Sequence, residues 1–404
     1  MRESGSSNSR GYLALLLVAS STVIPAADPS SILWTAPSII VAAMLIAWAA
    51  ESAQFFIAQG FALAILAWLQ TLPEFAVEAV LAWKQQVPLL MANLSGALRL
   101  LTGLGWPMIY VTAALFHRSR RKGPLRNITL ADEHCIEVVG LFAAMAYMVV
   151  VWWKATLTVI DAGILIAIYI AYLVILRRMP PAEEEDIEDL ERIPRAIVRA
   201  PRGMRITAIA GLFVIGGGLI YFMASPFLAS LLGLAAAFGI PNFWFVQWVA
   251  PLVSEFPEKV SAFYWARTVE RAPLALMNMV SSNINQWTLL AAMLPIVFSV
   301  SRGAPSTIPF DSLQETELLM TLAQGLLSAV FLMGMKLVWW EAAGLFVLWA
   351  VQFAIPDIRT HVTMAYFLWV AVEILRLLSG QRRPRAFQLF GVMWVRHIRS
   401  RGIE

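Results

Sequence analysis

The chain has 404 residues, of which 59% are hydrophobic and only 14% are charged, and its mean hydropathy is +0.71. Soluble domains carry about a quarter of their residues as charged side chains, so this composition excludes an ordinary soluble fold. The net charge of +4 does not indicate nucleic-acid binding, because the basic residues lie almost wholly in short loops between apolar segments. The single cysteine, Cys135, excludes an internal disulfide and a multi-cysteine metal site.

About twelve apolar segments are predicted to cross a membrane, each close to the ~20 residues that a helical span requires. Their hydrophobicity is continuous rather than alternating, which predicts helices and not barrel strands. In chain order the predicted spans are 12–28, 32–50, 58–84, 87–116, 136–153, 157–176, 206–224, 242–266, 272–300, 318–338, 340–355 and 360–379. The sequence therefore predicts an all-α membrane protein.

The basic residues are distributed unequally between the two sides of this bundle. Arginine and lysine are common in every second loop and in the C-terminal tail, whereas the alternate loops carry little more than Lys84, Lys154, Arg302 and Arg359. Positively charged loops stay in the cytoplasm. We therefore predict a multi-pass protein of the cell's inner (plasma) membrane with both termini cytoplasmic.

Several segments lie outside the predicted core of the bundle. The N-terminal segment 1–31 contains either an extra helix, which we favour, or a signal-like stretch preceded by Arg2 and Arg10. Residues 178–205, acidic and then basic, are predicted to be a solvated cytoplasmic linker rather than a regulatory cation-binding loop. Residues 357–379 add one further transmembrane helix, and 380–404 form a basic cytoplasmic tail.

An internal repeat relates the first half, 32–177, to the second half, 206–356. The segment 71–74, which ends in Pro-Glu, recurs as 255–258, and the Asn- and Ser-containing segment near 92–96 recurs near 277–282. The same number of residues separates Glu137 from Asp161 as separates Glu317 from Glu341. Each half has five predicted spans. Because five is odd, the second half enters the membrane from the opposite face, and inverted repeats place the substrate site near the midplane.

The Pro-Glu segments place Glu74 and Glu258 within predicted spans. An ionised side chain there costs at least a few kcal/mol, so we favour a role in cation binding over a role in packing. The preceding proline removes a backbone donor and breaks the helix, which leaves carbonyl and carboxylate oxygens for a cation. Neutral oxygens follow at Asn93, Ser95, Asn278, Ser281, Ser282, Asn283, Asn285 and Gln286. For Ser95 and Ser281, simple hydrogen bonding between helices is an equal alternative. This donor set suits a hard cation rather than copper or zinc.

Two further acids lie close to these glutamates. Glu78 follows Glu74 by one turn, and Glu255 precedes Glu258 by almost one turn. Carboxylates packed this closely cannot all ionise without a cation between them, which makes the proton a candidate counter-ion. The alternative is a static ion pair with Arg99 or Lys259.

The two Pro-Glu segments and the Asn/Ser segments after them resemble the alpha-1 and alpha-2 repeats of the sodium/calcium exchanger family, in the cation/calcium antiporter superfamily. The family pattern is Gly-Thr-Ser-x-Pro-Glu, followed by Gly-Asn-x-x-Gly-Ser-Asn. The chain departs from it where Glu255 takes a hydroxyl position, where Ala97 replaces a serine, and where Leu101 and Gln286 stand at places that often carry Asn or Asp. The resemblance implies two inverted five-helix repeats, ten core transmembrane helices plus about two extra ones, and alternating access. The ligands that it implies for the cation are Glu74, Glu258, Thr71, Ser254, Glu255, Asn93, Asn278, Ser282 and Gln286.

The sequence thus predicts a secondary cation antiporter that exchanges Ca²⁺ for Na⁺ or H⁺, with membrane lipid and inorganic cations as partners and no cofactor. Three alternatives remain: a Na⁺/H⁺ exchanger on the same scaffold, a channel, and a relative that does not transport. An enzyme is disfavoured, because the sequence has no His-Glu-x-x-His motif, paired catalytic aspartates or reactive cysteine context.

Overall fold

The computed structural model describes residues 26–53, 67–120, 123–178, 187 and 190–399. Within these residues the chain is mainly helical, and eight of the helices are long and apolar enough to cross a membrane. The prediction for 12–28 falls almost entirely outside the described residues, as does the beginning of the predicted span 58–84.

The helices follow the predicted spans in order. The first half contains α1 (Ile32–Ala53), α2 (Leu72–Trp83), α3 (Val87–Leu100), α4 (Trp106–Ser119), α5 (Cys135–Trp153) and α6 (Val159–Arg177). The linker contributes α7 (Arg192–Arg199). The second half contains α8 (Arg202–Ala237), α9 (Asn242–Ser254), α10 (Phe256–Arg267), α11 (Ala272–Asn285), α12 (Ala291–Arg302), α13 (Ser312–Leu332) and α14 (Trp339–Ala354). Helices α15 (Arg359–Leu378) and α16 (Arg385–Met393) follow the second half, and a short π-helix, Trp394–Arg399, comes after α16.

The boundaries of two predicted spans were wrong. Helix α13 begins before the predicted residue 318, because Asp311 caps it and exchanges hydrogen bonds with Gln314. It also ends before 338, because Lys336–Val338 forms a strand. Helix α8 continues well past the predicted end at 224 and contains Pro226 in its interior.

A one-turn π-helix occurs at the same place in each half. Leu101–Gly105 joins α3 to α4, and Gln286–Leu290 joins α11 to α12. Such wide turns are rare and frequently occur at functional sites. Their recurrence at equivalent positions confirms that the two halves share one architecture.

Two short strand pairs connect the halves. β1 (Asn127–Thr129) pairs with β4 (Lys336–Val338), and β2 (Thr156–Leu157) pairs with β3 (Ile308–Pro309), both antiparallel. Strands β1 and β2 lie before and after α5, and β3 and β4 lie before and after its counterpart α13. Each pair therefore joins the segment before one of these helices to the segment after the other, as expected for helices that run in opposite directions. The prediction of an all-α membrane bundle with two inverted repeats is confirmed.

The acids Asp161 and Glu341, which the repeat pattern matched, have the same structural role in the two halves. Asp161 accepts hydrogen bonds from Thr158 at the start of α6, and Glu341 accepts one of 2.9 Å from the Val338 amide at the start of α14. An acid in the first turn stabilises a helix by satisfying a free amide there. These carboxylates therefore fix helix starts.

The described part of the tail, up to residue 399, packs against the bundle. Arg382 forms ion pairs with Glu373 (2.6 Å) and Glu341 (2.9 Å) and donates a hydrogen bond to the Phe331 carbonyl. The Phe387 ring of α16 lies 5.4 Å from that of Phe142 in α5. The Ala386 amide of α16 donates a hydrogen bond to the Met333 carbonyl of the second half (3.0 Å). The prediction of a plain basic tail therefore missed a helix that contacts both halves.

Helices α3 and α9 approach closely at Gly96, where an added Cβ would lie 1.7 Å from the Gln247 carbonyl oxygen. We expect Gly96→Ala to lower the free energy of unfolding by about 1–3 kcal/mol, because an added methyl group forces packed backbones apart. The measurement is unfolding of the purified protein in detergent. The control is Gly217→Ala in α8, where an added Cβ meets nothing within 4 Å. Equal losses in the two variants would contradict the close approach.

Candidate cation site

The motif glutamates lie where two membrane-crossing segments are interrupted. One residue, Thr71, interrupts the helix before α2, and Glu255 alone separates α9 from α10. Pro73 and Pro257 then occupy the first turns of α2 and α10, where a proline is tolerated because its missing amide has no partner there. The predicted helix breaks are therefore confirmed.

Glu74 and Glu258 lie in the first turns of α2 and α10 and are 0% and 1% exposed. The first turn directs unpaired backbone N–H groups and the positive end of the helix dipole toward an acid. This position partly offsets the cost of keeping a carboxylate away from water.

Gln286 connects the two halves of the site. Its Nε2 atom donates hydrogen bonds to Glu74 Oε2 (2.8 Å) and to Glu255 Oε1 (2.9 Å). The two carboxylates come from different halves, so one amide at the beginning of a π-helix holds them together. Glu74 also lies within electrostatic range of Glu258 and Glu78.

The remaining predicted ligands are arranged around these acids. Asn93 Nδ2 donates to Glu78 Oε1 at 3.0 Å, and Asn285 Nδ2 donates to the Thr71 hydroxyl. Asn278 Nδ2 donates to Gln70 Oε1 at 3.1 Å. Ser254 donates to a carbonyl of its own helix at 3.4 Å, which leaves its hydroxyl oxygen less engaged than that of Thr71.

Many buried oxygens of this region have no hydrogen-bond partner among the described residues. They are Glu74 Oε1, Glu78 Oε2, both carboxylate oxygens of Glu258, the hydroxyl of Ser282, and the side-chain carbonyl oxygens of Asn93, Asn278, Asn283, Asn285 and Gln286. A buried acceptor without a partner is costly, and native structures contain few of them. These oxygens, supplied by both halves, are the type of donor that hard cations bind.

Carboxylates and imidazoles alone do not build a metal site here. In the part of the chain that the structure describes, no group of three or more His, Cys, Asp and Glu side chains is arranged to hold a metal ion. A cation at this place would therefore depend on amide, hydroxyl or backbone oxygens, as the sequence-based ligand set also assumed.

The two basic residues near the motif have different partners. Lys259 Nζ lies 2.5 Å from Glu255 Oε2, so the static pairing that we considered for Glu255 is present. Arg99 forms an ion pair with Glu317 and lies over the Trp248 ring, 5.0 Å from its centroid. Arg99 therefore does not pair with a site glutamate.

The sequence-based prediction missed Gln70 and Gln247. Gln70 stands at a hydroxyl position of the first motif and binds Asn278 across the two halves. The position of Gln70 within the first Pro-Glu motif could have identified it as a residue of the site. Gln247 donates to Glu317 Oε2 at 2.7 Å, and no motif in the sequence marks it.

Comparison with known proteins agrees with this architecture. The family model "Sodium/calcium exchanger protein" matches residues 12–177 and 208–356, most of both halves. The chain belongs to the sodium/calcium exchanger family. A crystal structure of the H⁺/Ca²⁺ exchanger CAX is 27% identical, with a TM-score of 0.82, and the match covers 96% of this chain and 98% of that one. No curated protein sequence gives a significant match.

The sodium-calcium exchanger NCX_Mj shares the fold at lower similarity. One of its structures, from a crystal soaked with Na⁺ and Sr²⁺, is 18% identical with a TM-score of 0.54, and the match covers 81% of this chain and 97% of that one. The predicted family membership is confirmed. The protein is thus a multi-pass membrane protein related to Ca²⁺ exchangers, and its family is one of transporters rather than enzymes.

Proposed function

We propose that the protein is a secondary antiporter that exchanges Ca²⁺ for a monovalent cation, H⁺ first and Na⁺ second, by alternating access. The observation that carries the proposal is the set of buried, unpartnered oxygens that both halves direct to the helix breaks at Thr71 and Glu255. In this proposal Glu74 and Glu258 bind the divalent cation. The Asn, Ser, Thr and Gln side chains around them complete the site.

Charge balance couples the two ions. A bare cluster of carboxylates is excluded from the apolar barrier by the cost of burying charge. The site therefore changes its accessible side only when Ca²⁺ or counter-cations neutralise it. Because both ions use the same carboxylates, binding of one displaces the other, and no separate gate is required for coupling.

Two features favour H⁺ as the counter-ion. The first is the extent of the likeness to an H⁺/Ca²⁺ exchanger, which covers nearly the whole of both chains. The second is the composition of the site. Ala97 and Leu101 remove neutral oxygens that Na⁺ would use, whereas Glu78 adds a buried carboxylate that can take a proton.

The orientation in the membrane follows from the loop charges. Strand β4, which contains Lys336, pairs with β1, which directly follows the arginine-rich loop. Lys336 and that loop therefore lie on the same side of the membrane. We propose that this side is cytoplasmic, in the plasma membrane, because basic loops are retained there. Both termini are then cytoplasmic.

The test is counter-transport by the purified full chain in proteoliposomes. We expect ⁴⁵Ca²⁺ uptake when the lumen is acidic or Na⁺-loaded, with faster uptake under the proton gradient, and no uptake without an opposing gradient. Uptake without any opposing gradient would indicate a channel. ²²Na⁺ uptake driven by the proton gradient without Ca²⁺ uptake would indicate the Na⁺/H⁺ exchanger. Absence of flux under every gradient would contradict transport by this chain.

A further inference from the structure

Glu255 differs from the other three buried glutamates at the helix breaks in how its oxygens are used. Glu74, Glu78 and Glu258 each keep at least one carboxylate oxygen without a partner among the described residues. In Glu255 both oxygens are engaged, one by Gln286 Nε2 at 2.9 Å and the other by Lys259 Nζ at 2.5 Å. A transported cation would have to displace one of these donors to bind Glu255.

The internal repeat shows which residues of the first half correspond to Glu255 and Lys259. Aligning Glu74 with Glu258 pairs Thr71 with Glu255 and Phe75 with Lys259. The second half thus has an acid and a base, one helical turn apart, at positions that are neutral in the first half. Lys259 is buried beside the site, with its ammonium on the carboxylate.

The ammonium of Lys259 forms an ion pair with Glu255 and also acts electrostatically on the neighbouring Glu258. Arg99, the other buried cation of this region, is already paired with Glu317 and does not compete for Glu255. A lysine ammonium is a compact positive charge. It can therefore neutralise a carboxylate in the way that a bound monovalent cation does.

We propose that Lys259 is a tethered cation that occupies a monovalent-cation position at Glu255 and removes that glutamate from the ligands of the transported ions. This inference rests on the proposed transport function of the site. It makes Lys259 a determinant of how many cations bind: the carboxylate remains neutralised in every state of the cycle without an ion from solution. The cations that are exchanged bind at Glu74 and Glu258.

The experiment counts the Na⁺ ions bound at equilibrium by the purified full chain in detergent, with ²²Na⁺ at saturating concentration and alkaline pH. We expect Lys259→Met to bind about one more Na⁺ per protein than the unchanged chain, because a buried carboxylate that loses its partner requires another positive charge. Lys259→Gln is expected to give the same gain. It also retains a neutral hydrogen-bond donor for Glu255, which keeps the test available if the Met variant does not fold.

Two variants serve as controls. Lys259→Arg retains the positive charge and should gain no Na⁺. The double variant Glu255→Thr/Lys259→Phe reproduces the residues of the first half and should also gain none, because the carboxylate is absent. An unchanged Na⁺ count in both neutral single variants would overturn the inference. A gain in the arginine variant or in the double variant would overturn it too, since charge at Glu255 would not then be the cause.

This binding measurement needs no ion gradient, so its failure is distinguishable from failure of the proposed function. A wild-type chain that exchanges Ca²⁺, with variants that bind no additional Na⁺, contradicts only the tethered-cation role. A wild-type chain without Ca²⁺ exchange contradicts the proposed function, whatever the Na⁺ count.

Discussion

Replacing Glu258 by Gln is expected to lower the initial rate of Ca²⁺ exchange by about 30- to 4,000-fold, since loss of one partner of a buried charge pair costs about 2–5 kcal/mol and about 1.4 kcal/mol is tenfold. Both oxygens of this carboxylate are buried and lack a partner among the described residues. The amide group that replaces the carboxylate cannot neutralise Ca²⁺.

Glu74→Gln is expected to have an effect of the same order, because Glu74 occupies the equivalent first turn of the other half. The measurement is ⁴⁵Ca²⁺ uptake in proteoliposomes under an opposing proton gradient, normalised to the amount of folded protein. The control is Glu137→Gln in α5, a buried glutamate outside the broken helices, which should retain most of the rate. Uptake that is unaffected in both motif variants would refute the proposed site.

Replacing Glu317 by Gln is expected to lower the free energy of unfolding by about 3–5 kcal/mol, because a buried charge would lose its partner. Glu317 forms ion pairs with Arg99 and with Arg359, whose Nε atom is 2.6 Å away. The Arg99 and Glu317 side chains are each 1% exposed, whereas that of Arg359 is 23% exposed. Without the carboxylate, Arg359 can turn toward solvent, but Arg99 cannot.

This difference between the two arginines gives the test its control variants. Adding Arg99→Met to Glu317→Gln should recover part of the lost stability, because the stranded charge is removed. Glu270→Gln breaks an exposed pair with Arg120 (3.3 Å) and should change stability by no more than about 1 kcal/mol. The measurement is denaturant unfolding in detergent. A loss for Glu317→Gln no larger than that for Glu270→Gln would show that the buried pair contributes little.

The Arg99–Glu317 pair belongs to a polar network that connects parts of the bundle far apart in sequence. Gln352 accepts a hydrogen bond from Arg99 (2.9 Å) and donates one to Gln324 (2.8 Å), and the Tyr366 hydroxyl donates to the same Gln324 oxygen. These residues lie in α3, α13, α14 and α15. Helix α15, although outside the repeat, therefore contributes to the support of both halves.

The polypeptide sequence by itself was sufficient for the features that depend on local chemistry. Continuous hydrophobicity predicts membrane helices, because only they satisfy the backbone in lipid. Proline before Glu74 and Glu258 predicts the helix breaks, because proline removes an amide donor. The odd number of spans in each half predicts inversion, and the two π-helices and the exchanged strand pairs agree with it.

Only the tertiary structure decided which charged groups meet. From the sequence, Arg99 and Lys259 were equal candidates to pair with a motif acid, yet Lys259 binds Glu255 and Arg99 binds Glu317, more than 200 positions away. The engagement of Gln70 and the packing of α16 were likewise decided by the fold. A contact between distant helices depends on their rotation and depth in the bundle, which the packing of all the side chains determines together and no local pattern encodes.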